Sequence, residues 1–326
     1  MEHITTLPEA DRRDLFTETA RQMGVRPAIT EKDFWVCWAL KCLFEDPELS
    51  VQMIFKGGTS LSKAFHVIER FSEDIDLILD WRIVTGKDPL ERLSKTQQNK
   101  LNKQINNDAQ GYIACDLLPK LSALYDPVAS CALDEHDPHT VLITYPRAFD
   151  DDYIVPKIRL EIGPLAAWLP NSQRIITPYV ADYFPEQVGE TNALVNTIDA
   201  ERTFWEKITI LHQEAHRPAE KTLPSRYSRH YYDVFKMHTS DIVNRAQTNL
   251  HLLAAVVKFK QQFYPCTWAR YSLAKPGTLR LLPEQSALSS LEQDYMAMGN
   301  MIFGEYPTFS EIMEALKQFE AKINQT

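Results

Sequence analysis

The sequence predicts a mixed α/β fold (α+β) over residues 1–197, followed by a helical domain over residues 198–326. Up to about residue 195, short apolar runs bounded by turn residues alternate with segments of helical spacing. From Asp199 onward the apolar residues keep helical spacing. The chain of 326 residues also suffices for two domains of about 150 residues, each with its own core.

The N-terminal segment predicts two helices within residues 8–46. The first has Pro8 near its opening turn and ends at Gly24, which suits the fixed φ of proline and the freedom of glycine at a helix end. The second runs from Glu31 and carries closely spaced aromatic and aliphatic residues.

A strand, a turn, a helix and a second strand are predicted next. Residues 53–55 form an apolar run, residues 56–58 form a Lys-Gly-Gly turn, and residues 59–68 have helical spacing. Residues 74–80 alternate acidic and aliphatic side chains, as a strand with one solvated face does.

The rest of the first domain predicts one helix and several strands. Residues 95–110 are polar and predict an exposed helix. Strand-like alternation or β-like composition follows at residues 141–145, 154–162, 175–176, 179–180 and 193–195.

Composition and charge exclude several classes of protein. The net charge of −9 argues against a surface that is basic throughout, although it permits a local basic groove for nucleic acid. The five cysteines are scattered without a C-x-x-C motif, so neither a disulfide framework nor a zinc knuckle is expected. The N-terminus lacks the apolar core of a signal peptide, and no run approaches the roughly 18 apolar residues of a membrane span. We therefore expect a cytoplasmic protein with no membrane partner.

Two carboxylates share one face of the second predicted strand. Asp74 and Asp76 leave the same face about 6.6 Å apart along the chain, whereas Ile75 and Leu77 leave the other. Two close carboxylates repel each other unless a cation lies between them, and hard oxygen ligands suit Mg²⁺. The alternative is an ordinary solvated strand face.

A glycine pair precedes these aspartates in a chain that has only ten glycines. Gly57 and Gly58 end a strand and open a helix whose first residues, Thr59 and Ser60, carry hydroxyl groups. Helix starts of this kind bind phosphate oxygens, and glycine permits close approach of the backbone. A phosphate site followed by metal-binding carboxylates indicates metal-assisted nucleotidyl transfer, and no P-loop motif is present.

At this point the sequence resembles a known family. The stretch from Phe55 to Leu77, FKGGTSLSKAFHVIERFSEDIDL, is similar to the signature of AbiEii/AbiGii-type nucleotidyltransferases, the toxins of type IV toxin–antitoxin and phage-defence systems. The segment from Glu31 to Val36 also resembles members of this family. The resemblance implies a DNA polymerase β-like core with a small mixed sheet and a helical C-terminal domain. The wide spacing between Gly58 and Asp74 predicts a connecting helix longer than usual by about a turn.

The resemblance also implies roles for individual residues. Asp74 and Asp76 would be catalytic ligands of Mg²⁺ or Mn²⁺, and an NTP would be the substrate. Ser72 aligns with a serine whose phosphorylation regulates some relatives. The alternative is that Ser72 only caps the start of the strand. The residues implied to contact the nucleotide or its triphosphate near this motif are Lys56, Gly57, Gly58, Thr59, Ser60 and Ser72, with Lys63 or Arg70 as charge partners.

Glu161 is the candidate for a third catalytic acid. Polymerase β-like enzymes take such a residue from a neighbouring strand, and Glu161 lies on a run whose aliphatic residues share one face while Lys157 and Arg159 share the other with it. An amphipathic edge strand would show the same pattern.

A lysine interrupts the apolar face of the helix that begins near Asp199. Phe204, Ile208 and Leu211 form a stripe at helical spacing, and Lys207 occupies a position where another apolar residue is expected. A lysine on the core side is costly unless it pairs with an anion or extends its amine to solvent. Because the segment resembles the one that carries the family's functional lysine, Lys207 is predicted to be a catalytic, phosphate-contacting residue.

A polar ridge follows at helical spacing in Arg226, Arg229 and Asp233. The segment is similar to the family's R-x-x-R-x-x-Y-D element, whose aspartate is essential. By this resemblance Asp233 orients the acceptor hydroxyl or pairs with Lys207, and Arg226 or Arg229 contacts phosphate. Two histidines nearby, His212 and His216, lack a third zinc ligand and predict a partly exposed helix face.

Together these observations predict a Mg²⁺-dependent nucleotidyltransferase of class EC 2.7.7. It would transfer NMP from an NTP to a nucleic-acid acceptor, by family analogy tRNA, and act as a toxin opposed by an AbiEi-like antitoxin without a stable complex. Two alternatives stay open at this point. One is nucleotidylation of a small molecule of antibiotic type, and the other is a catalytically silent module that binds an antitoxin or RNA.

Overall fold

The computed structural model describes residues 1–91, 93–151, 154–189 and 192–325. The chain forms two compact units, which we call the sheet unit and the helical unit. The sheet unit comprises Met1–Phe65 and Phe71–Ile198, and the helical unit comprises His66–Arg70 and Asp199–Thr326. The predicted division at residue 197 therefore assigns the short segment 66–70 to the first domain, whereas it belongs to the helical unit.

A mixed sheet of seven strands, counted over the described residues, organises the sheet unit. The strands are β1 (Met53–Lys56), β2 (Asp74–Leu79), β3 (Ser130–Leu133), β4 (Thr140–Thr144), β5 (Ile158–Gly163), β6 (Asn171–Ile176) and β7 (Ala193–Ile198). Their order is β3-β4-β5-β2-β1-β7-β6. Strand β2 pairs with β5 in parallel, β1 pairs with β7 in parallel, and the other pairs are antiparallel.

Helices cover one face of this sheet. They are α1 (Glu2–Thr5), α2 (Glu9–Met23), α3 (Pro27–Glu45), α4 (Gly57–Lys63), α5 (Trp81–Val84), α6 (Lys95–Tyr112), which continues through a π-helical turn (Ile113–Leu117), α7 (Leu118–Tyr125), α8 (Tyr179–Tyr183) and α9 (Pro185–Val188). Helix α3 is buried over most of its length, and its Trp35 stacks on Tyr145 with ring centroids 5.5 Å apart. Ile75 and Leu77 of β2 are buried in the same core.

The helical unit is built around α10. Its helices are α10 (Ala200–Glu214), α11 (Ser228–His238), α12 (Ile242–Gln247), α13 (Leu250–Phe263), α14 (Leu288–Ala297) and α15 (Phe309–Ile323), with 3₁₀ turns at Tyr271–Leu273, Gln285–Ala287 and Gly299–Met301. Phe204, Ile208 and Leu211 of α10 are buried, and Phe204 packs edge-on against Phe319. In the described part of the chain, every helix is too short or too polar to cross a membrane.

The predicted α/β fold class with a helical C-terminal part is confirmed, and several predicted elements need correction. The helix predicted over residues 59–68 ends at Lys63, so the longer connecting helix is wrong. His66 adopts φ 52°, a left-handed conformation that stops a helix, and Ile68 is buried in the segment that joins the helical unit. Residues 179–180, predicted as β-like, lie in α8.

Two further elements differ in extent or exposure from the predictions. The strand predicted over residues 154–162 begins only at Ile158. Helix α6 is polar but not exposed all round, because Leu101, Ile105 and Ala109 recur at i, i+4 and i+8 and are buried.

His212 was predicted to lie on a partly exposed helix face, and this is wrong. The ring is fully buried, its Nδ1 accepts a hydrogen bond from the backbone N–H of Arg280 at 3.1 Å, and its Nε2 lies 3.2 Å from the carbonyl oxygen of Arg270. Since Nδ1 is an acceptor, Nε2 carries the proton and donates to Arg270. Burial lowers the pKa of His212 to about 4. The neutral imidazole therefore joins α10 to the loop after α13.

We expect the stability of the protein to decrease as the pH is lowered below about 6.5, because of His212. Its pKa is lower in the folded chain than in the unfolded chain, so the unfolded state binds more protons between about pH 6.5 and pH 4. The stabilisation is present above about pH 6.5 and is lost as the pH falls toward 4. Urea unfolding at several pH values should show a shallower pH dependence for His212→Asn than for the parent, whereas the exposed His251→Asn should match the parent. Equal slopes for parent and His212→Asn would contradict this assignment.

Candidate functional site

Strands β2 and β5 bring the predicted acids together on one face of the sheet. In the parallel register Asp74 lies opposite Arg159, and Asp76 lies opposite Glu161. These side chains alternate with buried aliphatic residues on both strands, so they share the face of the sheet opposite the helix-covered core. We call Asp74, Asp76 and Glu161 the acid face.

Two carboxylates of the acid face, those of Asp74 and Glu161, have raised pKa values. Burial raises the pKa of Asp74, and the neighbouring carboxylates of Glu73 and Asp76 raise it further. Burial likewise raises the pKa of Glu161, with Asp74 and Asp76 adding to the effect. Like charges at a partly buried surface favour protonation or the approach of a cation.

Gly57 has a role that the sequence did not reveal. Its φ is 83°, and a Cβ atom added there would lie 1.9 Å from Oδ2 of Asp76. Any side chain at this position would therefore displace the Asp76 carboxylate as well as strain the backbone. The glycine leaves room for a catalytic candidate, in addition to the phosphate approach for which the pair was predicted.

The hydroxyl groups of Thr59 and Ser60 point into the protein. Both residues are buried, Thr59 Oγ1 donates to the carbonyl oxygen of Asp74 at 2.5 Å, and Ser60 Oγ donates to that of Gly57 at 2.8 Å. Thr59 also lies 3.5 Å from the carbonyl oxygen of Ser72, which is half-buried just before β2. Thr59 thus links α4 to the start of β2, whereas Ser60 bonds within the first turn of α4, and either hydroxyl would have to break its hydrogen bond to donate to a phosphate.

The oxygen donors of the acid face fit a divalent cation of the Mg²⁺ type. Such ions are commonly bound by one or two carboxylates, with waters and substrate phosphates completing the octahedron. Asp74 and Asp76 supply two carboxylates, and the glycine beside Asp76 leaves its oxygen unobstructed. Within residues 1–91, 93–151, 154–189 and 192–325, no three acidic, histidine or cysteine side chains converge to hold a metal. The fit is thus to an open site that depends on substrate oxygens.

Three consecutive charged residues are buried in α3, and their contacts support the region around the acid face. Glu31 accepts hydrogen bonds from the backbone N–H groups of Ala148 at 2.6 Å and Phe149 at 3.3 Å. Lys32 donates to Glu73, the residue before Asp74, at 2.9 Å. The buried Lys32 thus fixes Glu73, which lies 41 positions further along the chain and directly before β2.

The third residue, Asp33, fixes α4. Its Oδ1 lies 2.8 Å from Lys63 Nζ, and both side chains are only 3% exposed. Its Oδ2 accepts a hydrogen bond from the backbone N–H of Tyr179, whose ring lies 3.6 Å from Lys63 Nζ. Lys63 is therefore engaged inside the protein, which contradicts its predicted role as a charge partner of the triphosphate. Charged residues inside an otherwise apolar helix were the signal that could have identified this support.

In the helical unit, Asp233 lies between two cations. Its carboxylate is fully buried, and Arg70 binds it through Nε at 2.7 Å and Nη2 at 2.8 Å. Lys207 Nζ lies 2.8 Å from Oδ2 of the same carboxylate. Burial raises the pKa of Asp233, but Arg70 and Lys207 more than offset this and lower it below the ordinary value. We call Arg70, Lys207 and Asp233 the cation cluster.

The cation cluster has more positive than negative charge. Burial lowers the pKa of Lys207, with Arg70 and Arg229 adding to this effect while Asp233 opposes it. The pKa of His230 is well below its ordinary value because of burial and because of nearby Lys207 and Arg229. Cationic side chains in a buried position favour the binding of an anion. The sequence placed Arg70 near the triphosphate, whereas here its guanidinium binds Asp233.

Arg226 lies apart from the predicted helical ridge. Helix α11 begins at Ser228, so Arg226 precedes it, and Arg226 has φ 60° and an exposed side chain. Its backbone N–H donates to Asp294 at 2.6 Å. Arg229 and Asp233 share helix α11 as predicted. The prediction that Arg226 lies on the same helix is wrong.

The fold is similar to that of a solved nucleotidyltransferase toxin. The chain is similar in fold to MenT4, the nucleotidyltransferase toxin Rv2826c from Mycobacterium tuberculosis H37Rv, with a TM-score of 0.54 and 14% identity over 95% of this chain and 90% of that chain. A candidate nucleotidyltransferase from H. pylori aligns with a TM-score of 0.42 and 13% identity over 88% of this chain and 91% of that chain.

The sequence matches the family described as "Nucleotidyl transferase AbiEii toxin, Type IV TA system" over residues 38–323. The chain therefore belongs to the AbiEii family of nucleotidyltransferase toxins of type IV toxin–antitoxin systems, as the motif of residues 55–77 predicted. Membership implies a nucleotide substrate and an antitoxin partner. No curated protein matches the chain.

Proposed function

We propose that this toxin is a Mg²⁺-dependent enzyme that transfers NMP from an NTP to an RNA acceptor, specifically tRNA, and that it acts in phage defence in the cytoplasm. The observation that supports the chemistry best is the packing of the Asp76 carboxylate against Gly57. This packing supports the proposal because a carboxylate oxygen, which is the preferred ligand type of Mg²⁺, lies beside the glycine pair where phosphate would approach the backbone.

The acid face would bind the divalent cation. Asp74 and Asp76 are the proposed ligands, with Mn²⁺ able to replace Mg²⁺, and Glu161 opposite Asp76 is the proposed third acid. When bound, the cation supplies charge neutralisation at the phosphates and acidifies the attacking hydroxyl. Lys56 lies opposite Asp76 in the β1–β2 register and would bind phosphate together with the backbone of Gly57 and Gly58.

The cation cluster would bind a phosphate group of the nucleotide. Lys207 is the proposed contact and Arg229 a second one, because both are cationic and Arg229 lies near enough to Lys207 to lower its pKa. Asp233 and Arg70 would position the lysine, since the carboxylate that binds Lys207 is itself fixed by two hydrogen bonds.

The reaction is a substitution at the α-phosphorus of the NTP. A hydroxyl oxygen of the acceptor forms a bond to that phosphorus, and the bond to the pyrophosphate oxygen breaks. The hydroxyl proton leaves to water or to a carboxylate of the acid face, and pyrophosphate is released.

The proposal is tested by incubating the protein with each α-labelled NTP in the presence of Mg²⁺ and total cellular RNA. We expect label in the tRNA fraction with one NTP preferred, and no transfer when EDTA replaces Mg²⁺. Parallel reactions with a panel of aminoglycosides test small-molecule transfer. Label in an aminoglycoside but not in RNA would overturn the RNA acceptor, and the absence of transfer to any acceptor would overturn the enzymatic proposal.

Lys207 offers a variant that separates catalysis from folding. In Lys207→Met, Asp233 keeps both hydrogen bonds from Arg70, so we expect the free energy of unfolding to change by about 1 kcal/mol at most. Transfer should fall about 100-fold because a phosphate-neutralising group is lost. The exposed Lys258→Met is the matched control for both measurements. Unchanged transfer by Lys207→Met would exclude the lysine from catalysis.

A further inference from the structure

Arg159 lies among the carboxylates of the acid face. Its Nε is 3.7 Å from Oδ1 of Asp74 and 3.5 Å from Oε1 of Glu161, and its Nη1 is 2.5 Å from Oδ2 of Asp134. The guanidinium therefore has one short contact, with Asp134, and two long ones, with the acid face. Its side chain is 36% exposed, so the group is accessible to solvent and is not fixed by packing.

Asp134 is fixed where it meets Arg159. Its Oδ1 accepts hydrogen bonds from the backbone N–H groups of His136 at 2.8 Å and Asp137 at 3.2 Å, which leaves Oδ2 for the guanidinium. These hydrogen bonds and that from Arg159 lower the pKa of Asp134. The carboxylate directly after β3 is thus held in place by two backbone hydrogen bonds.

We infer that Arg159 is the internal counter-cation of the acid face, competing with a divalent ion for Asp74 and Glu161, and that Asp134 limits this competition by retaining the guanidinium. The inference rests on the proposed binding of a divalent ion by Asp74 and Asp76. Nothing in the motif of residues 55–77 indicates it, because both Arg159 and Asp134 lie on later strands or loops.

The physical reason is the geometry of the contacts. A guanidinium and a divalent ion cannot occupy the same side of a carboxylate, so attraction of Arg159 to Asp74 opposes binding of the metal. The shorter contact with Asp134 draws the guanidinium toward β3. Without Asp134, Arg159 would move closer to Asp74 and Glu161 and neutralise them more fully. Arg159 and Asp134 should therefore affect metal affinity in opposite directions.

The experiment is a titration with Mn²⁺ followed by electron paramagnetic resonance, without nucleotide, on the full chain. Arg159→Gln should bind Mn²⁺ about tenfold more tightly than the parent, and Asp134→Asn several-fold more weakly. The double variant Asp134→Asn/Arg159→Gln should resemble Arg159→Gln, because Asp134 acts through the arginine. Arg147→Gln and Asp150→Asn make the same charge changes at an exposed ion pair, and should leave the affinity near that of the parent.

The outcomes distinguish this inference from the proposed function. If Mn²⁺ binding is lost in Asp74→Asn but is the same for the parent and Arg159→Gln, the metal site stands and the role of Arg159 is overturned. Strictly additive effects in the double variant would overturn the role of Asp134. If neither the parent nor Arg159→Gln binds Mn²⁺, either without nucleotide or with a non-hydrolysable NTP analogue present, the metal site itself is overturned. Binding seen only in Arg159→Gln would support the inference most directly.

Discussion

Replacing Asp74 with asparagine is expected to lower nucleotide transfer about a thousandfold while the protein stays folded. A bound divalent ion supplies several kcal/mol of transition-state stabilisation, and each 1.4 kcal/mol corresponds to a factor of ten in rate. Asparagine has nearly the same shape as aspartate but removes a carboxylate that Glu73 and Asp76 repel. The free energy of unfolding should therefore be unchanged or slightly increased, since burial already disfavours the charged form.

The loss is measured as the rate of incorporation from α-labelled NTP into RNA, with urea unfolding of the same preparation. Asp116→Asn, at an exposed helical position, removes the same charge and should retain full activity. The parent should also arrest growth when expressed in bacteria, and Asp74→Asn should not. Growth arrest of equal strength by both proteins would show that chemistry at the acid face is not the toxic mechanism.

The buried pair of Asp33 and Lys63 should show the largest effect on stability. Asp33→Asn leaves a lysine that is 3% exposed without its counter-charge, and Lys63→Met leaves the carboxylate without its counter-charge. Either change should lower the free energy of unfolding by about 3–5 kcal/mol, because the remaining buried charge loses the opposite charge that compensates it. In the double variant Asp33→Asn/Lys63→Met no charge is buried, and the asparagine oxygen can still accept from the Tyr179 N–H.

We therefore expect the double variant to recover a substantial part of the lost stability, as measured by urea unfolding at neutral pH. Glu45→Gln, which removes the exposed partner of the Lys41–Glu45 pair, should change stability by less than about 0.5 kcal/mol. A double variant as unstable as the sum of the single ones would show that the two side chains act independently.

The sequence predicted local structure well where a single period governs the side chains. Strand β2 begins with acidic and aliphatic residues in alternation, and α10 has its apolar stripe at i, i+4 and i+7, so both could be recognised without tertiary information. Glu161 could be placed on a strand for the same reason. Its position opposite Asp76 depends on the parallel pairing of β2 with β5, which no local pattern records.

The errors arise where tertiary contacts override a local pattern. Leu61, Ala64, Phe65 and Ile68 have helical spacing, yet the chain leaves the helix after Lys63 because the following segment makes its contacts in the other unit. The pairing of Arg70 with Asp233 joins residues 163 positions apart, so sequence spacing could not reveal it. Lys63 and Lys207 are both buried lysines, and only the structure distinguishes one with a single matching carboxylate from one that shares its carboxylate with an arginine.

The course of the chain through residues 66–70 constrains how this protein can be divided or recombined. The backbone enters the helical unit at His66, leaves it after Arg70 and returns at Asp199. There the carbonyl oxygen of Glu69 accepts from the N–H of Phe303 at 2.8 Å, and Arg70 binds Asp233. A fragment that begins at Asp199 keeps Lys207 and Asp233 but loses the arginine that fixes them. A single crossover near residue 198 between two related genes would combine the helical unit of one parent with the segment 66–70 of the other. The arginine and the aspartate of the cation cluster would then come from different parents, so the pairing favours exchange of both units together.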